Sequence, residues 1–561
     1  MGAAVNMKKI LSLLVVCFSV LFVHAQTPQK YWVQFTNKGN TPYSISSPAQ
    51  YLSQRAIQRR TIQNIPIDSL DLPVTPMYVN AVAATGVVIH AKSKWLNGVV
   101  IITADANALN QIAAMPFVSS VTGAGLRVSG SGDNKFDKET YTPVDASQRI
   151  GAISSTTMNY GQSFNQIDMI GGVCLHNAGF KGQGMVIAVI DAGFYSVDTL
   201  PAFDSLWANN RILGTRDFVA GDTMVFEDNT HGMMVLSCMG GYIDGQIIGT
   251  APEAAYWLLR SEEAATEYIV EEYYWATAAE FADSVGADVI NSSLGYTVFD
   301  DPSQNHTYAE MNGNTAPCTI AADVAASRGM IVVNSAGNSG ASSWFYIGAP
   351  ADADSILAVG AVDASGQYAS FSSRGPSYDG DIKPDVAAQG AGTTIASPGG
   401  GIQSGNGTSF ASPVLCGAVT CLWQAHPGMT NMQVINVIRQ SASQFTNPDT
   451  YLGYGIPDFC AANLTLSGNA GQQPNEDAIL NTSPNPFSDF IQFGFYSLNN
   501  QNITVRLTDV TGRLILEKQV FAVRNAVNNY TLSDLGLLNS GMYFLTVITA
   551  DKSVSVKLLR E

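Results

Sequence analysis

Three residues of this 561-residue chain could supply the acid, the base and the nucleophile of a serine hydrolase, in the order Asp191, His231 and Ser409. A serine hydroxyl is a poor nucleophile alone, whereas an imidazole can take its proton near neutral pH and a carboxylate can fix the tautomer of that imidazole. Ser409 and His231 also have plainer interpretations, because serine is a common helix N-cap and a lone histidine at a helix start is often structural. The ordered combination favours chemistry.

The nucleophile candidate lies between a glycine-rich approach and an apolar run. Ser409 follows residues 405–407, and from Val414 the chain is apolar on nearly every helical face, which predicts a buried helix. Pro413 fits only the first turn of such a helix, where backbone N–H groups have no partner. We therefore expect Ser409 at a helix N-terminus, with the glycines letting another chain come close.

The other common serine-hydrolase architecture is excluded by counting. An α/β-hydrolase needs Gly-x-Ser-x-Gly, followed by an acid and then a histidine. Here Ser409 is followed by Phe410 and Ala411, and no Asp or Glu lies between Ser409 and the only later histidine, His426.

The elements that must position these residues look like an α/β sheet. Continuous apolar runs predict buried strands, and helical stretches lie between some of them. Ligands of such sheets gather at the carboxyl ends of the strands, and Asp191 and Asn338 follow strand ends. The predicted strands are 185–191, 256–259, 287–291, 330–335 and 356–362, and the predicted helices are 268–285 and 320–327.

These residues resemble the subtilisin-like serine proteases, or subtilases, over about 300 residues. The resemblance rests on six segments in the order of that family, although Ala192 stands where a serine or threonine is usual and Met233 where a threonine is usual. The segments are 189–193 (aspartate motif), 231–232 (histidine motif), 289–295 (cleft strand), 335–338 (oxyanion segment), 371–376 (structural loop) and 407–413 (serine motif).

The resemblance implies a secreted serine endopeptidase that works through an acyl-enzyme. Ser409 would attack the peptide carbonyl, His231 would carry the proton, Asp191 would orient His231, and the Asn338 amide with the Ser409 N–H would hold the oxyanion. An extended substrate would pair with the backbone of Ser293, Leu294 and Gly295. The alternative is a catalytically silent surface-binding protein on the same fold, which Ala192 and Met233 favour.

No cofactor is required by this chemistry, and structural calcium is the metal expected of the family. The candidate oxygen ligands have no defined spacing; they are Asp352, Asp354, Asp379 and Asp381.

The N-terminus predicts export. Lys8 and Lys9 precede an apolar run over residues 10–23, and Val23-His24-Ala25 ends it like a cleavage site, so residues 1–25 read as a signal peptide. No other stretch is long and apolar enough to span a membrane, and a net charge of -17 argues against nucleic acid as a partner. Six cysteines remain after cleavage; their connectivity stays open, and Cys416 and Cys421 are interpreted as free buried thiols.

The chain divides into several predicted domains. A mixed α+β module at 26–125 resembles a subtilase propeptide that blocks the cleft until it is cut away; a binding module that stays attached is the alternative. A linker at 126–163, expected to hold the maturation cut, leads to the peptidase domain at 164–465, which the resemblance makes an α/β fold with a parallel sheet covered by helices on both faces.

A second linker at 466–477 precedes a tail at 478–561, where about seven short strands predict a β-sandwich. Residues 483–486, 541–543 and 556–560 resemble the C-terminal sorting domain of the type IX secretion system of Bacteroidetes. The expected partners are therefore protein or peptide substrates, the chain's own propeptide and the type IX machinery. The protein would cross the periplasm and end released or surface-anchored. A β-sandwich that binds carbohydrate or substrate is the alternative for the tail.

Overall fold

The computed structural model describes residues 29–126, 135–143, 158–467, 476–499, 501–522, 526–533 and 535–560. The predicted signal peptide at 1–25 and most of the two predicted linkers lie outside these ranges. No helix within them is long and apolar enough to cross a membrane.

Residues 29–126 form the predicted α+β module. Its antiparallel sheet has the order β2-β3-β1-β4, and its helices pack on an apolar core that includes Val33, Val99 and Ile101. The strands are β1 (Gln29–Phe35), β2 (Val88–Ser93), β3 (Gly98–Thr103) and β4 (Val118–Leu126), and the helices are α1 (Gln54–Ile62), α2 (Pro76–Ala83) and α3 (Ala106–Ala113).

A short ordered stretch, which we call the crossing segment (residues 135–143), lies where the sequence predicted only a linker. It consists of a 3₁₀ turn at Lys135–Lys138 and strand β5 (Thr140–Pro143). Strand β5 pairs antiparallel with β16 (Ile402–Asn406), which also pairs with β15 (Thr393–Ala396). The chain that leaves the α+β module is thus bound to the large domain just before Ser409.

The large domain contains the predicted parallel sheet, with seven strands in the order β14-β13-β12-β11-β6-β10-β7. A two-stranded ribbon of β8 (Tyr242–Ile243) and β9 (Ile247–Ile248) lies beside it. The sheet strands are β6 (Val186–Asp191), β7 (Ile212–Asp217), β10 (Ala255–Arg260), β11 (Val289–Ser292), β12 (Ile331–Ser335), β13 (Leu357–Val362) and β14 (Val386–Gln389).

Helices cover both faces of this sheet. Along β6, Ile187 and Val189 enter one apolar core, while Ala188 and Ile190 enter the core on the opposite face. Because both faces are buried, the strands read as continuous apolar runs, and the prediction of a two-sided parallel sheet is confirmed. The helices are α4 (Phe164–Asp168), α5 (Gly172–Asn177), α6 (Asp204–Ala208), α7 (His231–Gly240), α8 (Val270–Val285), α9 (Pro317–Ser327), α10 (Thr408–Ala425), α11 (Asn431–Ser441) and α12 (Phe459–Leu466).

Helix α10 corrects one prediction about its proline. Pro413 lies inside the helix, beyond its first turn. A proline there has no N–H for the carbonyl four residues earlier, which is that of Ser409. The hydroxyl of Ser293 donates to this carbonyl at 2.9 Å instead. A side chain from the neighbouring strand end therefore fills the gap in the helical ladder, and the proline is tolerated.

A disulfide joins Cys174 of α5 to Cys460 of α12. Among the described residues, Cys238, Cys318, Cys416 and Cys421 are free and buried. The prediction for Cys416 and Cys421 is confirmed, whereas the pairing of Cys174 with Cys460 could not be derived from spacing.

The tail is the predicted β-sandwich. Two antiparallel sheets, in the orders β17-β18-β21 and β20-β19-β22-β23, enclose one core that includes Phe493, Leu507 and Leu545. The strands are β17 (Ala478–Ser483), β18 (Ile491–Ser497), β19 (Gln501–Asp509), β20 (Leu514–Ala522), β21 (Ala526–Leu532), β22 (Gly541–Ile548) and β23 (Ser553–Arg560).

Candidate active site

Asp191 and His231 meet at the carboxyl end of β6. Asp191 is the last residue of that strand, His231 is the first residue of α7, and Nδ1 of His231 lies 2.7 Å from Oδ1 of Asp191. A Cβ at position 232 would lie 2.4 Å from the carbonyl oxygen of Gly193 and 2.9 Å from Cβ of Asp191. Glycine after His231 is therefore what lets the helix start come this close to the strand end.

The two carboxylate oxygens of Asp191 differ in their hydrogen bonds. Its Oδ1 also accepts from the backbone N–H of Ala192 at 2.7 Å, whereas Oδ2 is buried and receives no hydrogen bond within the described ranges. Burial raises the pKa of Asp191 although the charge of His231 opposes it. Ala192, which stands where a serine or threonine is usual, has no hydroxyl to offer this carboxylate.

Ser409 lies at the start of α10, as predicted. It is the second residue of the helix, so its N–H belongs to the first turn and has no intrahelical acceptor. Its hydroxyl donates to the carbonyl of Ser293 at 3.4 Å, while the hydroxyl of Ser293 donates to the carbonyl of Ser409. Ser293 follows β11, so two predicted site residues, one from each motif, are in direct contact.

Asn338 is oriented by its neighbour on α10. Its Oδ1 accepts from both the backbone N–H and the hydroxyl of Thr408, each at 2.9 Å. Because the oxygen is committed in this way, Nδ2 must point away from Thr408, toward the space beside Gly407 and Ser409. A donor in that position has the orientation expected of an oxyanion-binding amide.

That space is filled by the side chain of Glu139, which the sequence analysis did not single out. Oε1 of Glu139 lies 3.5 Å from Nε2 of His231 and 3.5 Å from Nδ2 of Asn338, and the hydroxyl of Ser409 is close enough to help lower the pKa of this carboxyl. The hydroxyl of Tyr141 donates to Oε2 at 2.9 Å. One carboxylate of the crossing segment therefore contacts His231, Asn338 and Ser409 together.

Gly407 makes room for this carboxylate, because a Cβ there would lie 2.9 Å from Oε1 of Glu139. The prediction that the glycines before Ser409 let another chain approach thus has a physical counterpart in the crossing segment. Glu139 itself had no signal in the sequence, since its neighbours have no periodicity and, apart from Tyr141, the residues that its side chain contacts are distant along the chain.

The charges around the imidazole are unusual. Burial disfavours the imidazolium, but the carboxylates of Asp191 and Glu139 outweigh burial and raise the pKa of His231 to about 10. Burial likewise disfavours the ionised form of Glu139, yet the charge of His231 outweighs it and lowers the pKa of that carboxyl. With the crossing segment bound, His231 is protonated at neutral pH and cannot act as a base.

The crossing segment also covers the imidazole from the other side. The ring of Phe136 stacks on His231 with centroids 4.3 Å apart and planes 24° apart. The backbone N–H of the preceding residue, Lys135, donates to the carbonyl of Ala264 at 2.9 Å. The segment is thus bound to the large domain both before Glu139, at Lys135, and after it, along β5.

The predicted substrate-binding residues border the same site. Ser293 contacts Ser409 as described, the carbonyl of Leu294 accepts from Nδ2 of Asn334 at 3.2 Å, and Gly295 is exposed. Their pairing with a substrate stays a prediction.

The four aspartates considered for calcium do not form one group. Asp352 is buried and accepts from the hydroxyl of Thr319 at 2.6 Å and from the N–H of Gly313, while Asp379 accepts from the hydroxyl of Ser377. These hydrogen bonds use oxygens of two of the four aspartates, and structural calcium stays a prediction. Within the described ranges, the acidic side chains that converge are instead Glu262, Glu267 and Glu271, and the ammonium of Lys135 lies among them.

A parallel sheet with an aspartate–histidine pair at its carboxyl edge and a serine at a facing helix start defines a site of the serine-hydrolase class. Three family models match the chain: the Subtilase family over residues 182–455, the Peptidase S8 propeptide domain of Bacteroidota over residues 30–139, and the Secretion system C-terminal sorting domain over residues 482–561. The propeptide match extends past the boundary predicted at residue 125 and ends at Glu139.

Known proteins support the match to the Subtilase family. The chain is 33% identical over 300 residues to Subtilisin E of Bacillus subtilis (strain 168), covering 53% of this chain and 70% of that protein. It is 32% identical over 300 residues to Subtilisin of Bacillus pumilus, covering 53% of this chain and 97% of that protein. The solved structure of MycP1 from the ESX-1 type VII secretion system covers 56% of this chain and 90% of its own, with 24% identity and a TM-score of 0.43, too distant to bear on function.

The chain belongs to the subtilase family. It is a subtilisin-like serine peptidase that carries its own propeptide domain and a C-terminal sorting domain of the type IX kind.

Proposed function

We propose that the protein is a secreted serine endopeptidase whose triad is Asp191, His231 and Ser409. The hydroxyl of Ser409 attacks the peptide carbonyl, and Nε2 of His231 takes the hydroxyl proton as the new C–O bond forms. Asp191, bonded to Nδ1 of the same ring, holds the tautomer and stabilises the imidazolium. No cofactor enters these steps.

The attack gives a tetrahedral intermediate, and two further stages complete the reaction. The C–N bond breaks, His231 returns its proton to the leaving amine, and the acyl group stays on Ser409 as an ester. Water, deprotonated by the same imidazole, hydrolyses that ester and restores the hydroxyl. During both stages the negative oxygen is held by Nδ2 of Asn338 and the N–H of Ser409.

The observation that carries this proposal is the position of the Glu139 carboxylate. It contacts Nε2 of His231, the hydroxyl of Ser409 and Nδ2 of Asn338 at once. A negatively charged oxygen close to these groups resembles the arrangement that a tetrahedral intermediate requires, so we interpret the side chain as an internal stand-in for the oxyanion.

The contacts between the propeptide domain and the peptidase domain support inhibition by residues 30–139. The buried carboxylate of Asp283 on α8 pairs with Arg59 at 2.5 Å, with Arg60 at 2.9 Å and with Lys94 at 3.2 Å. On the same helix, Glu280 accepts from the backbone N–H of Lys94 at 2.7 Å. These contacts fix the domain beside the cleft while the crossing segment fills it.

The substrates of such an enzyme are proteins or peptides, and an extended chain would pair with the backbone at Ser293, Leu294 and Gly295. The sorting domain indicates export, and the signal peptide at 1–25 would start that route through the periplasm. We propose that the type IX machinery recognises residues 478–561 and that the product is released or anchored at the cell surface. Deleting those residues should trap the protein in the periplasm, and unchanged export would refute the assignment.

The second candidate is a catalytically silent binding protein, which the lack of a donor to Oδ2 of Asp191 among the described residues favours. Casein hydrolysis separates the two functions. We expect wild type and Ser365→Ala, which changes an exposed serine of the same domain, to digest casein, and Ser409→Ala to lose at least about 10³-fold in rate. Equal activity of Ser409→Ala and wild type would refute the endopeptidase mechanism, and an inactive wild type, freed of its propeptide, would support the silent alternative.

A further inference from the structure

A pocket with three carboxylates lies beside the cleft, on the side where the crossing segment begins. Glu262 follows β10, Glu267 lies in the same loop, and Glu271 lies in the first turn of α8. The side chains of Glu262 and Glu271 are only 1% and 2% exposed. We call these three side chains the acidic pocket.

The carboxylates of the acidic pocket are fixed in place before any ligand is considered. The hydroxyl of Tyr296 donates to Glu262, and the backbone N–H of Glu263 donates to Glu271 at 2.8 Å. Burial raises the pKa of Glu267 to about 7 and raises that of Glu271 well above its usual range, although the charge of Lys135 opposes both shifts. The pocket is therefore costly to keep ionised without a cation.

A cation from another part of the chain occupies it. Nζ of Lys135 lies 2.5 Å from Glu262, 2.9 Å from Glu271 and 3.2 Å from Glu267. An ammonium has three N–H donors, and here each of them has a carboxylate within reach. The occupant is an observation independent of the acidic cluster itself, and it identifies the chemistry that the cluster binds.

The occupant belongs to the segment that covers the candidate catalytic residues. Phe136, next to Lys135, stacks on His231, and Glu139, four residues further on, contacts the hydroxyl of Ser409. Strand β5 then continues along β16. A side chain in the acidic pocket is therefore part of a chain that passes the reacting atoms, at a fixed distance along it.

We propose that, once maturation removes the crossing segment, Glu262, Glu267 and Glu271 form a substrate subsite for a lysine or arginine side chain on the N-terminal side of the cleaved bond. This inference rests on the proposed endopeptidase function. A basic side chain restores the charge balance that Lys135 provides, whereas an apolar or acidic one leaves nearly buried carboxylates without a partner.

The test uses enzyme that has matured from the full-length chain. It is incubated with peptides from a proteome cut only after glutamate, and the new termini are sequenced by mass spectrometry. We expect lysine and arginine to be enriched at a single position on the N-terminal side of the cleaved bond. Cleavage without that enrichment overturns the subsite and leaves the endopeptidase intact; no cleavage overturns the proposed function itself.

Paired quenched peptides, with lysine or methionine at the enriched position, measure the size of the effect. We expect wild type to prefer lysine at least about 30-fold in kcat/KM, in line with the loss of one partner of a buried charge pair. Glu271→Gln, or Glu262→Gln should the first variant fail to fold, should reduce the preference to less than about threefold. Glu263→Gln is the matched control. Glu263 lies on the same loop as Glu262 and Glu267, but its carboxylate pairs with Arg260 at the end of β10 and not with Lys135.

Metal binding is the competing outcome for three converging carboxylates. The same peptide pair is therefore measured with calcium chloride and with EDTA. A lysine preference that is unchanged by both supports the subsite, whereas a rate that follows calcium and ignores the lysine would make the cluster a metal site and overturn the inference.

Discussion

Ser293 and Ser409 hydrogen-bond each other twice: the hydroxyl of Ser293 donates to the carbonyl of Ser409 at 2.9 Å, and the hydroxyl of Ser409 donates to the carbonyl of Ser293 at 3.4 Å. The first bond takes the place of the helical bond that Pro413 cannot make. The strand end after β11 and the start of α10 are thereby locked together at the residue that performs the proposed attack.

Ser293→Ala should lower the free energy of unfolding by about 1–3 kcal/mol, because it leaves the buried carbonyl of Ser409 without a donor. Adding Pro413→Ala should recover part of that loss, since the new N–H can donate to the same carbonyl. Thermal unfolding in an Asp191→Asn background, which prevents self-digestion, measures both effects. Strictly additive effects of the two changes would contradict the shared role.

Asn338→Ala should lower kcat by about 10²–10³-fold with little change in KM, because the lost Nδ2 acts on the oxyanion and not on the bound ground state. Asn314→Ala, at an exposed asparagine of the same domain, is the control and should behave as wild type. Steady-state kinetics of the mature enzyme on a peptide substrate provide the measurement. A change confined to KM would remove Asn338 from the oxyanion site.

Glu139→Gln should make the full-length chain mature faster at neutral pH. The neutral amide removes one of the two carboxylates that raise the pKa of His231 to about 10. The pKa of His231 therefore falls, and the imidazole reaches the neutral form that catalysis needs at a lower pH than in wild type. The appearance of mature enzyme, followed by gel electrophoresis from about pH 6 to 11, measures the effect.

The sign of the pH dependence follows from the raised pKa of His231. The attraction between Glu139 and His231 is fully present below the unfolded pKa of histidine and is lost as the pH rises through about 10. Wild type should therefore mature faster as the pH approaches 10, and Glu139→Gln should lack most of this step. Asp198→Asn, at an exposed carboxylate, should retain it. The same profile for wild type and Glu139→Gln would show that this carboxylate does not restrain the base.

Asp283→Asn should weaken the complex between the cut propeptide and the peptidase domain by at least about 30-fold, because Arg59, Arg60 and Lys94 lose their shared buried anion. These cations hold the pKa of Asp283 well below its usual range despite its burial, so their stabilisation is present above the unfolded pKa and is lost only as the pH falls through that lowered value. The inhibition constant from activity recovery after cleavage is the readout, with Asp363→Asn as the control. An unchanged constant would contradict this account of the interface.

The parallel sheet could be predicted because its strands are buried on both faces, and runs such as that of β6 show it without any knowledge of their partners. The residues Asp191, His231, Asn338 and Ser409 could be named for a related reason, since each stands in a short motif at a strand or helix end. In both cases the signal is local along the chain.

The crossing segment could not be predicted for the opposite reason. Lys135 is bound by residues of the 262–271 region, and β5 pairs with residues 403–406, so the partners that hold the segment on the large domain are distant along the chain. Its own sequence has no periodicity and reads as a linker. The position of Pro413 inside α10 was missed in the same way, because the donor that compensates for it, Ser293, lies far away along the chain.

The pairing of β5 with β16 gives the cleft a direction. In this chain the edge of β16 binds the backbone of β5, while the acidic pocket binds the side chain of Lys135, earlier in the same segment. A substrate bound in the opposite direction would place its basic residue beside β16 and leave the carboxylates of the acidic pocket without a cation. The cleft therefore favours one direction of the bound chain, and departure of the crossing segment frees the edge of β16 and the acidic pocket together.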